Sequence, residues 1–109
     1  MIVRIEGLPS SPVEAAARFH SRDLPEVLSA IETGDVVIVF EPAGHDHRAW
    51  RLAAVQGLAR EHAPRRVNAI ASDKEAAIAA ATDYLGRAPG VTGQYFVLDA
   101  GGAGNPITV

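Results

Sequence analysis

The sequence predicts a three-layer α/β fold, in which helices cover both faces of a parallel sheet of about four strands. Four short apolar runs, rich in β-branched or aromatic residues, alternate with segments of helical pattern, and this alternation is typical of βαβ units. The runs are Ile2–Ile5, Val36–Phe40, Val67–Ala71 and 95–98. Because Val36–Phe40 is apolar at every position, we expect it to be a central strand covered on both faces.

Polar side chains mark where the helices between these strands should begin. Three helices are predicted to begin at a Ser or Asp that stands three residues before a Glu, where it can accept a free N–H of the first turn: Ser11, Asp23 and Ser72. Gly34 and Gly86 stand near the ends of two of these helices, where a left-handed residue is favoured. A further helix is predicted over 48–63.

Length and composition restrict the class of protein. With 109 residues, 48% of them hydrophobic, the chain fits one domain, 1–109, with a single core. A net charge of −3 and scattered arginines disfavour a nucleic-acid partner. No run approaches the roughly 18 apolar residues of a membrane span, so we expect no membrane association. The lack of cysteine excludes disulfides and thiolate metal sites, and we expect a cytoplasmic protein.

The predicted helix over 48–63 carries two apolar stripes on roughly opposite sides. One consists of Leu52, Val55 and Ala59, and the other of Trp50, Ala53, Ala54 and Gly57. Only one stripe can face the sheet. Small residues in the second stripe allow another helix to approach closely, and Trp50 could anchor the contact, so we predict an interface there. The alternative is that Trp50 packs on the chain's own neighbouring helix.

Three motifs in the second half of the chain give a family resemblance. They are RVNAIA at 66–71, VTGQ at 91–94 and DAGG at 99–102. In this order and separation they resemble the C-terminal half of the short-chain dehydrogenase/reductase family. The resemblance implies a truncated, Rossmann-like domain whose four strands follow one another in space and are joined by right-handed crossovers. Ile2–Ile5 then stands where the family has its fourth strand.

The residues that perform the family's chemistry are not matched. Gly7 stands alone, without the glycine-rich turn that cradles a cofactor pyrophosphate. The family's Tyr-x-x-x-Lys falls on Gly44 and Arg48, and the Pro-Gly beside the nicotinamide is replaced by Ser72 and Asp73. The resemblance therefore implies no catalytic or cofactor-binding residue, and we expect neither an NAD(P) cofactor nor oxidoreductase activity.

A site of another kind could lie at the carboxyl ends of the strands, where open α/β sheets bind ligands. The candidate pocket residues are Glu41, His45, Asp46 and Asp99. His45 and His47 flank Asp46, but an i, i+2 pair at a helix start diverges, so we predict no metal site. In the alternative interpretation, Asp46 caps the helix and both histidines are solvated.

Two hypotheses for function follow. The first is a non-catalytic domain that acts by association, either as a homo-oligomer (dimer or tetramer) or with an unidentified protein partner. Its candidate surfaces are the Trp50 stripe, the last strand with the tail 101–104, and the exposed edge of the first strand. The second is a small-ligand binder or enzyme with a site at the strand ends.

Overall fold

The computed structural model describes residues 1–98, and within them it shows a four-stranded parallel sheet with helices on both faces. The elements are β1 (Ile2–Ile5), α1 (Pro12–Arg18), α2 (Leu24–Ile31), β2 (Val36–Phe40), α3 (Arg48–Glu61), β3 (Val67–Ala71), α4 (Glu75–Gly86) and β4 (Tyr95–Val97). A π-helical turn, Phe19–Asp23, joins α1 to α2, and a 3-10 turn, His45–His47, precedes α3. The order β1-β2-β3-β4 confirms the predicted fold class and the sequential arrangement of strands. In this part of the chain, no helix is both long enough and apolar enough to cross a bilayer.

Alternate residues of β2 divide the core into two layers. Val36, Ile38 and Phe40 belong to the larger layer, with Phe19 of the π-helical turn and side chains from α2 and α3. Val39 lies on the other face, with Ile70 and three residues of α4: Ile78, Ala81 and Leu85. Strand β2 is therefore covered on both faces, as its uninterrupted apolar sequence predicts.

The placement of α4 corrects the prediction that every crossover is right-handed. Each connection moves one strand further in the same direction across the sheet. Helices α2 and α3 lie on one face, whereas α4 lies on the other. Two crossovers that advance in the same direction over opposite faces have opposite hands. Since right-handed crossovers predominate, we assign that hand to the first two connections and the left hand to β3–α4–β4.

Only one of the three predicted caps forms. Ser11 Oγ accepts a hydrogen bond from the backbone N–H of Glu14 at 3.3 Å, and α1 begins at Pro12. Asp23 does not cap α2, because the π-helical turn continues into that helix and the Asp23 carboxylate accepts from Arg22 instead. Ser72 Oγ accepts from the N–H of Lys74 at 3.0 Å, two residues on, so it closes a turn and α4 begins later than predicted.

The prediction of left-handed glycines at 34 and 86 is wrong. In residues 1–98 the positive-φ positions are Gly7 and Gly93. Two i to i−3 hydrogen bonds of the 3-10 type close the end of α2. The Thr33 N–H donates to the Ala30 carbonyl, and the Gly34 N–H donates to the Ile31 carbonyl. These bonds satisfy the last carbonyls of α2 without a left-handed residue.

Arg66 and Asp35 fasten the amino-terminal end of the sheet. The Asp35 carboxylate accepts from the backbone N–H of Arg66 at 2.8 Å and from its Nε at 3.1 Å. Arg66 Nη1 also donates to the carbonyls of Leu85 and Ala88, at 2.9 and 2.7 Å. One side chain thus joins the starts of β2 and β3 to the end of α4.

This arrangement predicts a specific loss of stability in acid. The pKa of Asp35 is lowered, chiefly by the hydrogen bond from the Arg66 backbone N–H, with further contributions from the Arg66 and Arg65 charges. A carboxyl group whose pKa is lower in the folded state stabilises that state above its unfolded pKa of about 3.9, and the contribution disappears as the pH falls through the folded value. Because the side chain is half exposed, we expect a contribution below about 1 kcal/mol.

Urea unfolding of the wild type and Asp35→Asn across the acid range measures this effect. The free energies of unfolding of the two proteins should converge as the pH falls below about 4. Asp83→Asn, which removes a carboxylate from an exposed i, i+4 pair with Arg87, controls for the general loss of a surface charge. A wild-type advantage that stays constant down to the lowest pH would contradict the assignment.

Candidate functional site

The start of α3 is packed against an aromatic cluster at the carboxyl end of β2. The ring centroids of Phe19, Phe40 and Trp50 lie 5.6 Å from one another. Trp50 is half-buried, and its indole thus packs within the chain itself, against the π-helical turn and β2. This is the kind of packing that the alternative interpretation of Trp50 described.

The rest of α3 differs from the predicted pair of stripes. Its buried residues are Arg51, Val55, Leu58 and Ala59, whereas Leu52 is only half-buried. Of the predicted interface residues, Ala53 is exposed and Ala54 is half-buried against the core. A Cβ added at Gly57 would meet no atom within 4 Å. The outer side of α3 is therefore a surface of small residues, with Trp50 turned partly inward.

His47 is a buried residue that the sequence did not single out as structural. Its side chain is held at both ring nitrogens: Nε2 lies 3.0 Å from the Ser10 carbonyl oxygen, and Trp50 Nε1 donates to Nδ1 at 3.2 Å. Since Nδ1 accepts, the ring proton is assigned to Nε2, which donates to Ser10. His47 therefore fastens the loop after β1 to α3, which differs from the expectation that both histidines are solvated.

The predicted pocket residues are only partly brought together. Glu41 and Asp46 line a cavity of about 270 Å³ at the carboxyl ends of β1 and β2, whereas His45 is exposed and is not among its lining residues. The Glu41 carboxylate accepts from the backbone N–H of Gly7 at 2.9 Å. Asp99 lies outside the described residues. Among residues 1–98 no group of three His, Asp or Glu side chains could hold a metal ion.

Arg51 also lines this cavity, and sequence reasoning missed it. It is only 2% exposed, and its Nη1 donates to the Glu41 carbonyl at 3.0 Å and to the Tyr95 hydroxyl at 3.1 Å. Its guanidinium carbon lies 4.5 Å from the centroid of the Phe40 ring. Arg51 stands four residues before Val55 and seven before Leu58, and this helical spacing on the buried side was the signal that could have revealed it.

The sheet, its crossovers and a ligand-sized cavity at the strand ends define an α/β domain of the Rossmann-like class. A family model described as short chain dehydrogenase-like protein, SDR-like, matches residues 3–98. The chain therefore belongs to the short chain dehydrogenase-like family, and this confirms the resemblance drawn from the motifs. Neither the curated proteins nor the solved structures gave a match.

Proposed function

We propose that this chain is a non-catalytic member of its family that acts by association, and that it forms a homo-oligomer through the edge of β1. The observation that carries the proposal is the combination of an edge strand with exposed apolar side chains. Within the described residues β1 pairs with β2 alone, so its other side presents unpaired backbone groups. Such edges pair readily with another strand.

The edge carries exposed apolar side chains, and burying them against a second copy would be favourable. Met1 and Ile2 are 65% and 43% exposed, and Val37, which adjoins Ile2 on the face that α4 covers, is half-buried. We name Met1, Ile2 and Val37 the edge patch. All three line a shallow cavity of about 130 Å³ that also touches α4. A second copy whose twofold axis passes beside Ile2 would pair its residues 1–3 antiparallel to residues 1–3 of this chain and bring the two edge patches together.

The positive charge of Arg4 on the edge strand is paired within the chain. Arg4 donates to both carboxylate oxygens of Glu75, at 2.9 and 3.0 Å. An unpaired arginine on each of two edge strands would repel the other copy, and charged residues commonly protect edges in this way. Here the ion pair with the start of α4 neutralises the charge, so the edge retains little electrostatic protection.

The proposal of a non-catalytic role is supported by the residues at the family's reactive positions. Gly44, in the position matched to the family's tyrosine, has no side chain to donate a proton. A Cβ there would lie 2.7 Å from Asp46 Oδ1, so a larger residue would displace that carboxylate. Arg48, in the position of the lysine, has its guanidinium 6.0 Å from the Tyr95 ring centroid.

Sedimentation equilibrium over about 1–100 μM tests the proposal, since a modest interface of this kind gives micromolar dissociation constants. We expect the wild-type chain to associate and Ile2→Lys to weaken the association at least about tenfold, because the substitution places like charges opposite one another at the contact. The matched control is Val13→Lys, which adds the same charge at an apolar residue on α1 that is 80% exposed.

A further variant separates the β1 edge from the predicted α3 surface. Ala53→Glu changes an exposed residue on α3 and should leave the dissociation constant unchanged. If Ala53→Glu dissociates the oligomer and Ile2→Lys does not, the interface lies on α3 and the proposed edge contact is wrong. A chain that stays monomeric throughout the concentration range would contradict self-association and leave a different protein as the partner.

A further inference from the structure

A buried arginine, Arg51, lies at the cavity formed by the carboxyl ends of β1 and β2. Arg51 lines the cavity and is 98% buried, yet no carboxylate pairs with it among residues 1–98. In this part of the chain its hydrogen bonds go to a backbone carbonyl and a tyrosine hydroxyl, both neutral groups. Buried arginines usually have an anionic partner, because withdrawing a guanidinium from water is costly.

The geometry of the guanidinium shows which of its donors are already used. Nη1 carries two hydrogens, and its two bonds, to the Glu41 carbonyl and to the Tyr95 hydroxyl, account for both. Among residues 1–98, Nε is buried and has no partner. The edge formed by Nε and Nη2 is therefore the part of the guanidinium without a hydrogen bond to the described residues. This edge presents two parallel N–H bonds, which match the two oxygens of a carboxylate.

The arginine is held in place by packing that does not depend on a ligand. Its guanidinium carbon is 4.5 Å from the Phe40 ring centroid and 5.7 Å from that of Trp50. The Trp50 indole is itself fixed by its hydrogen bond to His47. A side chain stacked in this way loses little conformational freedom when it binds a ligand, so binding is less costly than at a mobile arginine.

The remaining polar groups of the cavity restrict the ligand further. Two carboxylates, Glu41 and Asp46, lie on the same lining as Arg51, and both residues are exposed on the solvent side. They disfavour a multiply charged anion such as phosphate and favour a cationic group on the ligand. The apolar lining includes Ile5 and Leu8, and the volume of about 270 Å³ admits a small molecule only.

We propose that this cavity binds a small amino carboxylate, with the ligand carboxylate on Arg51 and the ligand ammonium group facing Glu41 and Asp46. One small cavity brings together a buried guanidinium, which has no carboxylate partner among residues 1–98, and two exposed carboxylates, and this juxtaposition carries the proposal. It is independent of association through β1, since the cavity lies at the opposite end of that strand from the edge patch.

Titration of the intact chain, followed by the Nε–Hε signals of its arginines in a ¹H–¹⁵N spectrum, tests the proposal. The probes are L-alanine, L-alaninamide, which lacks the carboxylate, propionate, which lacks the ammonium group, and inorganic phosphate. We expect L-alanine to shift the Arg51 signal with saturation in the millimolar range, roughly 1–50 mM, as befits so small a ligand. Propionate should bind several-fold more weakly, and alaninamide should leave the Arg51 signal unshifted.

Matched variants locate the site. Arg51→Lys should weaken L-alanine binding by about tenfold, because an ammonium group cannot form the bidentate pair. Arg60→Lys, an exposed position on the same helix, should have no effect. Glu41→Gln should weaken L-alanine but not propionate. If Arg51→Lys fails to fold, the comparison of probes on the unmodified chain still decides.

The outcomes that overturn the proposal are specific. Equal shifts of the Arg51 signal with alaninamide and L-alanine would show that the carboxylate is not recognised. Tighter binding of phosphate than of L-alanine would show that the site is a general anion site. An Arg51 signal unmoved by every probe up to about 50 mM would show that the guanidinium is purely structural.

Discussion

Replacing Phe40 with alanine should lower the free energy of unfolding by about 4 kcal/mol, the largest effect that we expect of any single substitution considered for this chain. The side chain is fully buried, and it contacts Phe19, Trp50 and Tyr95, with ring centroids 5.6, 5.6 and 6.3 Å away. The Arg51 guanidinium stacks on the same ring. The substitution therefore removes apolar burial and leaves a cavity at the point where the aromatic cluster supports the guanidinium.

Two further variants make this result interpretable. Phe40→Leu keeps most of the apolar volume and should cost about 1.5 kcal/mol, so it stays measurable even if Phe40→Ala does not fold. Tyr84→Ala removes an aromatic ring that is 52% exposed, and we expect a change within about 0.5 kcal/mol. Urea unfolding followed by circular dichroism gives all three values. If Phe40→Ala costs no more than Tyr84→Ala, the aromatic cluster is not the centre of the core.

Replacing Asn68 with alanine should lower the free energy of unfolding by about 2–3 kcal/mol. Asn68 lies on β3 and is 2% exposed. Its Nδ2 donates to the Val91 carbonyl at 3.0 Å, and its Oδ1 accepts from the Gln94 N–H at 3.1 Å. Alanine would leave both backbone groups without their partner, in the loop that leads into β4. Thermal and urea unfolding of the purified variant measure the cost.

The Asn68→Asp variant tests the same pair of bonds by a different route. Its carboxylate can accept from Gln94 but cannot donate to Val91, and a buried carboxylate is costly to ionise. We therefore expect Asn68→Asp to be destabilised at neutral pH and to recover relative to the wild type as the pH falls and the carboxyl gains a proton. Gln94→Ala, which removes an exposed side chain, should change stability by less than about 0.5 kcal/mol. A pH-independent difference for Asn68→Asp would contradict the assigned role.

The strands could be predicted from sequence because burial alone determines them. Val36–Phe40 and Val67–Ala71 occupy the predicted residues. Val36–Phe40 is an uninterrupted apolar run, which is stable in the middle of a sheet covered on both faces, and β3 is apolar except for Asn68. Helix ends were less predictable. The predicted cap at Asp23 required non-helical backbone before α2, whereas the π-helical turn runs directly into that helix. Nothing in the local sequence distinguishes a capping aspartate from one that pairs with a neighbouring arginine.

The site was only partly accessible to sequence reasoning for a related reason. Glu41 and Asp46 follow a strand, and the rule that ligands bind at strand ends places both on the same edge of the sheet. Arg51 and His47 required knowledge of what surrounds them. A polar side chain is buried in a core where it finds hydrogen-bond partners. Here the partners are the Glu41 carbonyl and the Tyr95 hydroxyl for Arg51 and the Ser10 carbonyl for His47, and they lie up to 44 residues away along the chain.

The left-handed crossover at β3–α4–β4 determines that helices cover both faces of this sheet. Strands that advance in one direction with right-handed connections place every helix on the same face, which yields two layers and leaves one side of the sheet bare. Doubly wound proteins solve this by reversing the direction of strand addition, which needs further strands beyond the reversal. Within residues 1–98 a single change of hand covers both faces of four strands, and the helix of the third layer in this part of the chain is α4.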